Sequence, residues 1–467
     1  MKRLFKIVGI VLLSLLVLLL LVFFLGTSRV DTTPYFEEAY YKNTMKRLDS
    51  ARAAMTETSA PVFAGFSKVS ITPRLSDEVD VATGSFKSVP LAGYGGRAGK
   101  SATGIHDSVF VMATALRIGE QTVVLVASDL LIMPPNVVDS VTAMLRSKGI
   151  SREQVFYSAT HTHSSVGAWG PGYVGEIFAG KEDHDIIRWL VQQTAKSIEI
   201  AIADLKPAKI ATGTFSVAKY TRNRLIGKTG TKNNDFTYIA LEQVEGKKAI
   251  LGSYSAHATV LSEENFEVSG DYPGYWARKM ELSFDYAMFF AASVGSQGPT
   301  GDGTGFERAK NVGEALADSL TARLSGVELK DNINLSYLSL KMDIPTFKIR
   351  LTTKRDLAPA LSKRLLPFSN NVYLQGLKIG DLLWVTTPCD FSGEFALQLK
   401  NSLASYGYHA NVTSFNGSYV GYIVPGRYFY LDEYEPRIMG WFGPNMGEYT
   451  FEMIRHLCRA MTGGDNI

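Results

Sequence analysis

Residues 122–163 read TVVLVASDLLIMPPNVVDSVTAMLRSKGISREQVFYSATHTH. Residues 122–128 are a short apolar run rich in β-branched side chains, 136–147 repeat their apolar positions at helical spacing, and 155–159 are apolar again, which predicts a βαβ unit with two parallel strands. The second strand gives out into Thr160-His161-Thr162-His163, ahead of a Gly-containing loop. Strand side chains two apart share a face, so His161 and His163 can converge on one point. Neutral imidazole is the commonest protein ligand for zinc, and a metal centre is the first expectation; two loop histidines held by backbone hydrogen bonds are the alternative.

The same alternation continues downstream. Helices are expected over 185–203, 275–282, 306–323, 391–403 and 446–461, and strands over 208–215, 236–244, 249–256, 287–292, 335–342, 372–379 and 382–387. This order predicts an α/β fold of mixed β-sheets layered with helices, with Gly-, Ser- and Thr-rich loops at the strand ends where ligands bind. Of the 467 residues 46% are hydrophobic and 20% charged, ample for a sizeable core and against disorder. Formal net charge is +3, and Lys2, Arg3 and Lys6 supply that many positive charges before any folded part begins, so nothing argues for nucleic acid.

Residues 7–25 are an almost unbroken apolar run that as a helix is about 28 Å long, enough to cross a bilayer once. The run is longer than the apolar region usual in a cleaved secretory signal and ends Phe-Phe-Leu-Gly-Thr-Ser, which favours an uncleaved anchor. With the basic residues ahead of the run, the amino terminus is expected in the cytoplasm and the rest in the periplasm or on the cell surface. Residues 27–62 then read as a polar stem with an amphipathic helix over 37–54 serving as a spacer, and 63–467 as the main domain. Cys389 and Cys458 are too few for a disulfide framework; two buried small hydrophobes are expected, with a single bridge as the alternative.

Further ligands are expected just past apolar strands. His257 follows 249–256, and Asp390 follows 382–387, although a strand-end His is commonly hydrogen-bonded scaffold and an Asp before a helix is commonly its N-cap. In the aromatic stretch 417–425, Tyr419 and Tyr422 read by default as core packing.

The ordered series Gly104-Ile-His106, Ala-Thr-His161-Thr-His163-Ser, Asn223-Arg224, Ala256-His257, Ser269-Gly-Asp271-Tyr-Pro-Gly-Tyr, Phe289-Phe-Ala-Ala-Ser293, Pro388-Cys-Asp390-Phe, Gly421-Tyr422-Ile-Val-Pro, Tyr434-Glu435 and Phe442-Gly-Pro444 resembles the neutral/alkaline ceramidase family, zinc amidases that cleave the N-acyl bond of ceramide. The resemblance covers about residues 63–461 and implies that family's catalytic-domain fold behind one N-terminal transmembrane helix. It implies zinc held by His161, His257, Asp390 and Tyr422, with Tyr434, twelve residues after Tyr422, polarising the amide carbonyl. Two positions depart from the family. Its carboxylate ligand is Glu, and Asp390 is shorter by one methylene, so either the backbone there comes closer to the ion or Glu394 takes the place; its nucleophilic serine falls on Gly298, with Ser296 as a nearby substitute.

The resemblance and the anchor together imply a membrane-anchored zinc-dependent hydrolase that cleaves an N-acyl bond in a ceramide-like lipid by metal-activated water. Arg224 and Tyr434 are expected to stabilise the oxyanion and His163 to act as hydrogen-bond partner or proton shuttle, while Asp271 and His106 either orient ligands or are a turn Asp and a loop His. The alternative is a catalytically impaired envelope protein of the same scaffold that binds a lipid or glycan. The substrate could also be another N-acylated small molecule, and the oligomeric state is open.

Overall fold

A computed structural model of the chain describes residues 1–464. Its twelve-stranded sheet divides into three wings around one long strand, Glu57–Ser70, which pairs with Phe110–Ile118, Lys206–Ser216 and Asn332–Met342 in turn along its length. The first wing continues through Gln121–Ser128 to Val155–Ala159, the second through Asp235–Gln243 and Lys248–Tyr254 to Tyr286–Ala291, and the third through Val372–Ile379 and Leu382–Thr386 to His409–Thr413.

Each wing ends in a parallel pair joined by a crossover helix: Pro135–Arg146 in the first, Asp271–Met280 in the second and Gly393–Ala404 in the third. The expected 122–159 unit is therefore one of three βαβ units. The helix expected at 275 begins at Asp271 because Pro273, which has no N–H to donate, is tolerated in a first turn where that donor has no intrahelical partner.

Strand alternation sorts the core. Val123, Leu125 and Ala127, Ala249 and Leu251, and Leu382 and Trp384 point into one central cluster shared by all three wings. Their neighbours Val124 and Val126, Ile250, and Leu383 and Val385 point outward beneath the helices of their own wing. Burial on both faces is why these strands read as continuous apolar runs.

The segment 27–62 is not a free spacer. Helix Ala39–Ala54 buries Thr44 and Leu48 against the third wing, where Thr44 Oγ1 accepts from Asp343 N (2.9 Å) and from Tyr449 Oη (2.8 Å). The boundary expected at 62/63 falls inside the strand Glu57–Ser70. Ahead of it, Lys2–Gly26 is a helix long and apolar enough to cross a membrane, and none of its residues is buried. Thr27–Arg29 pairs antiparallel with Arg355–Leu357. Among the described residues Cys389 and Cys458 are both free and buried.

Candidate metal centre and active site

The carboxyl ends of the three parallel pairs meet. Thr160 N donates to Ser128 O, Ala292 N to Tyr254 O and Thr387 N to Thr413 O within the wings, and Ser414 N to Ala291 O and Ser158 Oγ to Ser414 O tie the wings together. One candidate donor emerges from each wing: His161 after Val155–Ala159, His257 after Lys248–Tyr254, and Asp390 after Leu382–Thr386.

His161 lies in the left-handed region at φ 63°, a strained conformation for a residue with a Cβ, and its ring stacks at 4.3 Å on Phe415, itself at φ 70°. Its Nδ1 is 2.6 Å from Leu131 O, while His257 Nδ1 is 2.8 Å from Val294 O and 3.1 Å from Gln297 O. A ring nitrogen facing a carbonyl must carry the proton, so both Nε2 atoms present lone pairs. Both aim at Asp390 Oδ1, at 3.4 Å from His161 and 3.3 Å from His257. That oxygen is buried without a hydrogen-bond partner, whereas Oδ2 accepts from Tyr419 Oη at 2.8 Å.

Two imidazole lone pairs and a carboxylate oxygen turn toward one point, where Tyr422 Oη also reaches His257 Nε2 at 2.9 Å; burial raises the Asp390 pKa, and a proton on that carboxyl would serve only one of the two imidazoles. Burial pushes the His161 pKa down to about 3 and holds those of His163 and His257 well below the ordinary value, so all three rings are neutral. Neutral imidazoles beside a carboxylate are the donor set of a divalent cation, zinc above all. The ligand atoms of His161, His163 and His257 lie within 4.8 Å of one another and could hold a metal. His163 Nε2 is 3.2 Å from His161 Nε2, and its Nδ1 is buried and unpartnered.

Tyr422 Oη sits 2.9 Å from His257 Nε2 and accepts from Arg224 Nη2 at 2.9 Å. Arg224 Nε donates to Glu435 Oε1 at 2.8 Å. Burial works against the Arg224 charge, but Tyr422, Glu435 and Asp390 around it more than offset this, and it stays a cation. Tyr434 is edge-on to Tyr422 at 5.7 Å and remains 41% exposed. The structure thus brings His161, His163, His257, Asp390, Tyr422, Arg224 and Tyr434 into one neighbourhood.

The cluster opens into a cavity of about 270 Å³. His161, His163, Tyr422 and Tyr434 line it together with Trp169, Phe178, Phe368 and Trp441, so the polar groups face an apolar chamber suited to a hydrocarbon chain.

Other candidates stand apart from the histidines. Glu394 is engaged by Arg427 and Tyr428, so the carboxylate at the cluster is Asp390. Ser296 Oγ accepts from Gly393 N at 3.2 Å, its carbonyl accepts from Arg224 N, and it does not line the cavity. His106 stacks on Phe306 and bonds Tyr275 Oη. Asp271 accepts from Leu261 N and Tyr272 N, pinning the loop that follows His257.

Two residues to which the sequence assigned no functional role shape the site. Tyr419, read as packing, holds the carboxylate. Arg97, in the Gly-rich stretch 93–99, is 1% exposed and donates to the carbonyls of His163, Ser262 and Glu263, fixing the His163 loop against the loop after His257. The nearest sequence signal is Gly93, where a Cβ would stand 2.6 Å from the His163 ring, so only glycine allows that approach.

Residues 77–296 match the family described as neutral/alkaline non-lysosomal ceramidase, N-terminal. Among solved structures, the fold is similar to neutral ceramidase from Pseudomonas aeruginosa, with a TM-score of 0.71 and 17% identity over 86% of this chain and 75% of that one. It is likewise similar to a ceramidase complexed with C2, with a TM-score of 0.73 and 17% identity over 87% of this chain and 76% of that one. The sequence match thus spans most of the first two wings, and over all three wings the fold is that of these ceramidase structures.

Proposed function

We propose that this chain is a membrane-anchored, zinc-dependent amidohydrolase that cleaves the N-acyl bond of a ceramide-like lipid on the extracytoplasmic side. The observation that carries this reading is the inward-facing donor set of His161, His257 and Asp390 at the end of an apolar cavity. Tyr422 Oη supplies a fourth donor beside it. A zinc ion held by these four side chains would supply Lewis acidity toward water and an acyl carbonyl.

The protein's own residues provide the rest. Arg224, kept charged and aimed by Glu435, and the Tyr434 hydroxyl are the donors available to a carbonyl oxygen as negative charge builds on it, typically the largest single catalytic contribution. His163, neutral and with Nδ1 free of protein partners, can take a proton and return it to the leaving amine. Trp169, Phe178 and Trp441 exclude water and hold the acyl chain. The helix Lys2–Gly26 anchors the domain, with Lys2, Arg3 and Lys6 on the cytoplasmic side.

One observation favours a second reading, a lipid-binding relative without turnover: Gly298 offers no hydroxyl where the family has serine, and Ser296 is hydrogen-bonded to backbone. Zinc content of the purified chain, followed by incubation with a fluorescent ceramide and a panel of N-acyl amino acids, separates the two. The proposal expects about one zinc per chain, lost on His161→Ala or His257→Ala, and release of the fatty acid. Stoichiometric zinc with tight lipid binding and no release from any substrate selects the second reading, and absence of zinc removes the proposed chemistry.

A further inference from the structure

Apolar side chains left in solvent are scattered over most proteins, but here a group of them surrounds the cavity and is tied to the exit of the anchor. The last turn of Lys2–Gly26 rests on the segment 355–368. The Arg355 guanidinium lies 4.4 Å over the Phe23 ring and 5.7 Å from that of Phe24, Arg355 Nη1 donates to Thr27 Oγ1, and Ala358 N donates to Gly26 O. A Cβ placed on Gly26 would meet Leu361 at 3.9 Å. The same segment then supplies Leu366, Pro367 and Phe368 to the cavity wall.

Two other parts of the rim join it. Helix Gly172–Ala179 abuts Pro367 through Gly172, and Arg350 donates to the carbonyls of Phe429 and Pro436, holding the stretch that carries Tyr434. On these three segments Tyr173 is 64% exposed, Tyr430 54%, Ile438 47%, Leu361 43% and Leu431 37%, with Leu351, next to Arg350, 40% exposed; the exposed charges among them are Lys363, Arg364 and Arg437 and the acids Glu176, Asp432 and Glu433. Aromatic, aliphatic and basic side chains together are the composition that settles at a membrane interface.

Resting on the anchored, lipid-cleaving reading, we propose that this surface is a second membrane contact. It seats on the outer-leaflet interface so that the cavity opens into the bilayer and the lipid slides in laterally without crossing water. The placement follows from length: if residues 7–25 span the hydrocarbon, Phe23 and Phe24 lie at its outer edge, and Arg355 and Leu361, which lie against that turn and its exit, sit at the interface beside it. Two contacts also make physical sense, since one helix sets the height of a domain but not its tilt. The occupant is the lipid bilayer itself. A soluble apolar ligand entering from water would need no such apolar rim around the anchor's exit.

The test places an environment-sensitive fluorophore on a cysteine introduced into the full chain at Leu361, Ile438 or Tyr430, with Val244→Cys as control. Val244 is 75% exposed and lies in the turn before Lys248–Tyr254, at the opposite end of that strand from the loop carrying His257. The two native cysteines are buried, so labelling is directed to the introduced ones. The chain is reconstituted into phosphatidylcholine–phosphatidylglycerol vesicles and floated. Blue-shifted emission at 361, 438 and 430, quenched by nitroxide on lipid chains and shielded from aqueous iodide, with the reverse at 244, is the expected result. Iodide quenching at 361, 438 and 430 equal to that at 244, in protein that co-floats with the vesicles, overturns the second contact and leaves the anchor standing. Protein that fails to co-float overturns both. None of these readouts depends on turnover, so failure of the catalytic proposal is recognised separately, by the zinc and substrate measurements.

Discussion

Tyr419→Phe removes one oxygen and leaves the ring in place, at 6.3 Å from Phe415 and 5.9 Å from Trp441. The lost hydroxyl donates at 2.8 Å to the carboxylate of Asp390, a wholly buried acid. A hydrogen bond to a charged group contributes about 1.5–3 kcal/mol. If that bond fixes the carboxylate for an ion, its loss weakens binding by roughly 10- to 150-fold, since 1.4 kcal/mol is a factor of ten. The range agrees with the roughly 10- to 100-fold cost of losing a partner that orients a metal ligand. Zinc affinity is measured by competition with a chromophoric chelator at fixed pH, beside Tyr434→Phe, which removes a hydroxyl from the same cavity without touching Asp390. The expected pattern is zinc affinity lowered in Tyr419→Phe and unchanged in Tyr434→Phe, with turnover lowered in both. Zinc affinity within twofold of wild type in a folded Tyr419→Phe protein would refute Asp390 as a ligand held by this bond.

Asp390→Asn should lose stoichiometric zinc while Glu394→Gln keeps it, because Glu394 is spent on Arg427 and Tyr428; atomic emission on dialysed protein reads both. Gly298→Ser should fold normally, since a Cβ there meets nothing nearer than Arg224 Cδ at 3.7 Å and φ is unexceptional, and ceramide turnover should stay within about tenfold of wild type (under about 1.4 kcal/mol) if zinc suffices. Turnover appearing only in that variant means the natural chain has lost its nucleophile. Burial raises the carboxyl pKa of Asp129 to about 7, so the folded state binds more protons than the unfolded one between about pH 4 and 7. The stability this group contributes is complete below pH 4 and lost as pH rises through 7. Asp129→Asn, which keeps an acceptor for Phe110 N, should flatten that part of a urea-denaturation series run from pH 5 to 8; an unchanged slope would show that Asp129 titrates normally.

The convergence of His161 and His163 was legible in the sequence for a reason that only partly holds. Strand periodicity predicts convergence of His161 and His163, yet the strand stops at Ala159 and it is the left-handed turn at His161 that swings its ring onto Phe415 and toward Asp390. Nothing in a two-residue spacing reveals a positive φ at a histidine. The α/β class and most strands were readable because both faces of each strand are buried, giving dense apolar runs. The stem was misread because Ala39–Ala54 buries only Thr44 and Leu48, too faint a stripe to distinguish docking from spacing. Tyr419 and Tyr422 differ by three residues in one aromatic stretch, and which of them faces the carboxylate and which the imidazole depends on the bridge that aligns Asp390 with Tyr422, a contact between distant parts of the chain that no local pattern encodes.

That dependence explains why the site sits where it does. Each wing closes with a parallel pair, the carboxyl end of a parallel strand is where the chain leaves the sheet for a loop, and three such ends tied by Ser158, Ala291 and Ser414 leave one small volume common to all wings. His161, His257 and Asp390 approach that volume from different wings, so an ion bound there joins segments that no local hydrogen-bond ladder connects, and its binding free energy adds directly to the stability of the assembled fold. The converse holds for the donors alone. Two lone pairs and a carboxylate oxygen held at 3.3–3.4 Å by neighbours that fix their orientation oppose one another, and a cation bound among them would reverse the sign of that interaction.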